Sequence, residues 1–73
     1  MENYEGMKYS KIRKAVMEIP VDEVFTAEWV FSKVKTSKWL TADNVRRYLT
    51  AKEGVIVEKA GMYKGVVVWK RIG

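Results

Sequence analysis

The stretch Thr41-Ala42-Asp43-Asn44-Val45-Arg46-Arg47-Tyr48-Leu49-Thr50-Ala51-Lys52-Glu53-Gly54 carries both boundaries of a helix. Thr41 is a favoured N-cap, Asp43 puts a carboxylate in the first turn where the helix dipole stabilises it, and Gly54 stands where helices commonly stop. The residues between predict one helix over 41–53. Val45, Tyr48, Leu49 and Lys52 recur at three- and four-residue spacing. Val45 and Leu49 therefore turn towards a core, and Asn44, Arg46, Arg47, Thr50 and Ala51 towards solvent. Two adjacent outward arginines make this helix a candidate reader of nucleic acid; alternatively they only solubilise an amphipathic helix.

Working outward, the character changes after Gly54 from helical to β. Val55-Ile56-Val57-Glu58-Lys59 and Val66 to Ile72 are β-branched runs, and Ala60 to Gly65 between them contains two glycines, which predicts an antiparallel hairpin over 55–72. Upstream, Lys35 to Leu40 reads as a turn in which Leu40 plugs the core and Trp39 either packs or stacks on a partner. Thr26 is a second N-cap before Ala27 to Val34, a helix whose Trp29, Val30, Phe31 and Val34 predict that it is largely buried, with Lys33 at its exposed end. Val24-Phe25 reads as a short extended piece able to add a third strand at the hairpin's edge. Tyr9, Ile12, Val16 and Ile19 form a helical apolar stripe that predicts a first helix over 7–19, stopped by Pro20, with residues 1–6 frayed. The expected core is Ile12, Val16, Phe25, Val30, Phe31, Val34, Leu40, Val45, Leu49, Val57 and Val68.

Seventy-three residues with 48% hydrophobic content support one small folded domain. There is no Cys and no His, which removes disulfides, thiolate metal sites, the usual zinc ligand and the usual general base. No apolar run reaches membrane-span length and the N-terminus is no signal peptide, so a soluble cytoplasmic protein is expected. The absence of Gln, with Asn only at Asn3 and Asn44, suits a hot habitat. Charge is uneven. Residues 1–34 carry five bases against six acids, a balance of −1, whereas residues 35–73 carry nine against three, a balance of +6. A polyanionic partner accounts for that asymmetry; an acidic protein would as well.

Helix, short strand, helix, turn, helix and hairpin, in that order, resemble a winged helix-turn-helix domain, an α+β fold, over Met7 to Ile72. Thr26 to Val34 looks like the family's second helix, Leu40-Thr41 with Val45 and Leu49 like the start and buried face of its recognition helix, and Gly54 to Val57 and Gly61 to Gly65 like the entry and tip of its wing. Two departures are visible: the turn from Val34 to Thr41 is longer than the tight form, and Phe31 stands where the family usually keeps a small residue. Small stand-alone members of this type occur in archaea and their viruses. The resemblance implies a non-enzymatic, sequence-specific double-stranded DNA-binding protein, a transcriptional regulator of the nucleoid or host cytoplasm, with homodimers as a common arrangement. It implies no cofactor, metal or membrane. Arg46, Arg47, Asn44 and Thr50 would face base edges; Lys38, Thr41, Lys59, Tyr63 and Lys64 would take phosphates, with Arg47 the base reader and Arg46 the wall contact. For Tyr63 and Met62 the alternative is to cover the end of the core. Lys70 and Arg71 read as a solvated face. The competing functional reading is an RNA-binding module, like the small winged-helix ribosomal proteins, or a protein-docking module. No carboxylate pair, nucleophile–base pair or phosphate-cradling loop points to an enzyme.

Overall fold

The computed structural model describes residues 4–34 and 40–73. Lys38 and Trp39 lie outside the described residues. Three helices, α1 (Tyr4–Met17), α2 (Ala27–Val34) and α3 (Ala42–Ala51), pack against a three-stranded antiparallel sheet of β1 (Val24–Thr26), β2 (Val57–Tyr63) and β3 (Val66–Arg71). The strand order is β1-β3-β2. The continuous β-branched strand β3 therefore sits in the middle, and the more polar β2 forms an edge, where charged side chains discourage further pairing.

Both threonine caps form as the sequence predicts. Thr26 Oγ1 accepts from the Trp29 amide at 3.1 Å. Thr41 Oγ1 accepts from the Asn44 amide at 3.2 Å while Asn44 Oδ1 accepts from the Thr41 amide at 3.0 Å, a reciprocal capping box that satisfies two helix-end donors. At the far end α3 stops at Ala51, two residues short of the expected end. The Lys52 carbonyl then accepts from the amides of Val55, Ile56 and Val57, and Gly54 takes φ 85°. That turn absorbs Val55 and Ile56, so β2 starts only at Val57.

α1 runs earlier than expected at both ends: Tyr4, Glu5 and Gly6 are helical, and the helix closes at Met17. Its final carbonyl, that of Met17, accepts from Arg71 Nη1 at 3.1 Å, and the same nitrogen donates at 2.6 Å to the Ile19 carbonyl two residues beyond the helix. Arg71 is thus a clamp between β3 and the end of α1, not part of a solvated face. Lys70, on the other face, lies 3.9 Å from both Asp22 and Glu58.

The hairpin turns at Lys64-Gly65, tighter than the six-residue loop expected, with φ 53° and 81°. Positive φ at both central residues is the geometry that matches strand twist. Gly61 sits inside β2 at a register shift against Val68 and is not part of the tip.

Nine of the eleven expected core residues are buried: Ile12, Val16, Phe25, Val30, Val34, Leu40, Val45, Leu49 and Val57. Phe31 and Val68 are only half-buried. Trp69 takes the place assigned to Val68, because Phe25, Trp69 and Lys59 are register partners on the helix-facing side, whereas Thr26 and Val68 pair on the other. Ala15, Ile19, Ala27 and Tyr48 complete the core. Trp29 is 43% exposed, contrary to the expectation of a largely buried α2.

Tyr48 stacks on Tyr9 with ring centroids 6.0 Å apart, and its hydroxyl is buried with no hydrogen-bond partner among the described residues. Burial pushes that hydroxyl's pKa up, with the Arg13 charge pulling the other way. Phenylalanine would fill the same space without the unpaired polar atom. Tyr48→Phe is expected to leave stability unchanged or raise it by about 1 kcal/mol in chemical denaturation. A loss of comparable size would mean that the hydroxyl is satisfied in solution.

Candidate nucleic-acid interface

Successive residues of a helix diverge by about 100°. With Val45, Tyr48 and Leu49 buried, the outermost positions of α3 are Asp43, Arg47 and Thr50, and Arg46 leans to one side. Arg46 leans towards α2, where its Nη2 donates to Glu28 Oε2 at 2.9 Å. That hydrogen bond is the main reason the Glu28 carboxyl is held below its usual pKa; a backbone hydrogen bond adds to it. Arg47 leans away and pairs with Asp43 one turn back at 3.1 Å. Both pairs are exposed, so each contributes little to stability and can be exchanged for another anion at small cost.

An open trough of about 450 Å³ separates α3 from the β2–β3 hairpin. Arg46, Thr50 and Lys59 line it, with Gly65 and Val66 at the hairpin end. Lys59 extends across the Trp69 ring, its ammonium 5.9 Å from the ring centre, so the stem is packed while the charge stays wet. At the hairpin tip the Lys64 ammonium lies 5.3 Å from the centre of the Tyr63 ring. Tyr63 is 66% exposed and does not cover the end of the core. The tip strains the backbone to present this lysine, since a residue with a β-carbon at positive φ costs about 1 kcal/mol relative to glycine.

The site residues read from the sequence thus separate into groups. Arg46, Thr50 and Lys59 share the trough, and Tyr63 and Lys64 form the tip. Arg47 stands on the crest of α3, outside the trough. Asn44 and Thr41 are occupied by the cap: Asn44 Oδ1 accepts from both the amide and the hydroxyl of Thr41, at 3.0 and 3.1 Å. Two-point recognition of adenine needs that carboxamide oxygen, so Asn44 is withdrawn from the base-reading set, and Thr41 from the phosphate set, while the cap holds.

Three residues that the sequence reading does not assign to the site belong beside this surface. Glu28 anchors Arg46, and Arg13 and Lys52 flank a second groove between α1 and α3, together with Arg47. A signal for the latter two was available. Tyr9 and Arg13, and again Tyr48 and Lys52, place an aromatic ring and a cation four residues apart on one helix face.

Among the described residues no group of three or more Asp or Glu could hold a metal ion, and no helix is long and apolar enough to cross a membrane. Comparison with protein-family models, with curated proteins and with solved structures finds no match.

Proposed function

We propose that this chain is a winged helix-turn-helix domain that binds double-stranded DNA sequence-specifically, without catalysis, and acts as a transcriptional regulator. α3 enters the major groove and the β2–β3 hairpin lies across the backbone or in the minor groove. The observation that carries this reading is the convergence of Arg46 and Thr50 from α3 with Lys59 from the hairpin on one trough; Lys64 stands exposed at the hairpin tip, next in sequence to Gly65 at the trough's end. An acidic backbone passing along that trough would exchange Arg46 from Glu28 to phosphate, while Arg47 at the crest of α3 faces the base edges. The second reading, a protein-docking module, is favoured by one feature: the outer face of the sheet exposes Val24, Tyr63 and Val66. An apolar strip of this kind also suits a homodimer contact.

Lys64→Asn separates charge from fold, because asparagine accepts positive φ and preserves the turn. The variant is expected to keep wild-type stability, weaken binding to all duplexes alike, and reduce the slope of log affinity against log salt by about one unit. An unchanged slope would remove the hairpin tip from the interface. Negligible affinity for any duplex at low salt, with an acidic protein bound instead, would favour docking.

A further inference from the structure

The groove between α1 and α3 has about 430 Å³ of open volume and is lined by Tyr9, Ser10, Arg13, Tyr48, Ala51 and Lys52, with Arg47 at its lip. It is distinct from the trough on the hairpin side of α3. Its lining holds three cations and no acid. Arg47 is already paired with Asp43, but Arg13 and Lys52 have no carboxylate within ion-pair distance among the described residues. Like charges gathered without a counter-charge repel one another, and an anionic ligand relieves that cost. The wall between them is aromatic: Tyr9 and Tyr48 lie stacked at 28° between ring planes, the Lys52 ammonium stands 5.9 Å from the Tyr48 ring centre, and the Tyr48 hydroxyl has no partner among the described residues. Cations beside flat rings suit a ligand that joins an anionic group to a flat apolar one.

We infer that this groove binds a nucleotide unit, its phosphate between Arg13 and Lys52 and its base against the half-buried ring of Tyr9, which the buried Tyr48 ring backs. Ring stacking of this kind tolerates any base, since every base offers a flat face, so the site would discriminate by phosphate and shape more than by base identity. The unit could be free or part of an unpaired strand, and both present the same chemistry. Duplex binding by the hairpin side of α3 is not required.

Nuclear magnetic resonance titration of the full chain tests this with three probes: adenosine monophosphate, inorganic phosphate and a short oligothymidylate. Either nucleotide probe is expected to shift the resonances of Ser10, Arg13, Tyr48 and Ala51 in a saturable way. Arg13→Ala and Lys52→Ala are each expected to weaken that binding about tenfold, the loss of one charge-assisted contact. Both side chains are partly or fully exposed, so these variants should fold, and Lys64→Asn should leave the groove's affinity unchanged. Saturation by adenosine monophosphate identifies a free nucleotide as sufficient; shifts with the oligonucleotide alone identify a strand-borne unit. Inorganic phosphate binding as tightly as either would overturn the assignment, because the rings would then contribute nothing. Silence of the groove with both nucleotide probes would overturn it as well.

Discussion

Leu49→Ala should lower stability by about 2–5 kcal/mol, the range for emptying a buried leucine site. Leu49 is fully buried, on the inward face of α3 beside Val45, in the core shared with α1, α2 and the sheet. Partners that come from separate elements cannot collapse into the vacated volume without moving helices, which places the cost towards the upper part of the range. A domain of this size has a total stability on the order of 4–11 kcal/mol, so the variant would lose a large fraction of it. The melting temperature should fall by roughly 4–8 °C for each kcal/mol. A thermal transition indistinguishable from wild type would show that Leu49 is not in the core and that the register of α3, with every outward residue assigned from it, is wrong.

The second large effect concerns the two adjacent arginines. Arg47→Ala is expected to lose about 1–3 kcal/mol on the preferred duplex and little on random DNA, whereas Arg46→Ala should lose similar amounts on both. The difference follows from their directions. Arg47 stands on the crest of α3 and is tied only to Asp43 on the same helix, while Arg46 is drawn sideways to Glu28 and opens on the trough where a backbone would pass. Paired titrations of each variant against both duplexes separate the roles. Equal losses for the two variants on specific and random DNA would mean that α3 supplies charge without sequence readout.

Thr26 and Thr41 marked two helix starts because a cap is a local event: a hydroxyl, a backbone amide three residues on, and nothing from elsewhere in the chain. The inward face of α3 was legible for the same reason, as spacing alone separates Val45 and Leu49 from Arg46 and Arg47. What escaped depended on distant partners. The last carbonyl of α1 is held by Arg71, 54 residues away, a partner that a reading confined to Pro20 does not see, and that reading places the helix end two residues too late. The choice of Trp69 over Val68 for the core is a register choice, and a run of four consecutive apolar residues in β3 leaves both faces open until β1 and β2 are paired to it. Arg46 and Arg47 were identified from the sequence as a diverging pair, but the direction of each depends on where Glu28 and the hairpin stand. Asn44 was assigned to base reading because of its side-chain type, although its position three residues after Thr41 already allowed the capping box.

The central claim is that α3 and the hairpin together grip duplex DNA, and chemical-shift mapping of the isotope-labelled protein with a duplex at low salt tests it most directly. The account predicts shifts confined to the outward residues of α3, Asp43 to Ala51, and to the hairpin from Lys59 to Val66, reduced as salt is raised. Absence of shifts at low salt, or shifts centred on Val24 and Val68 on the outer face of the sheet, would contradict it.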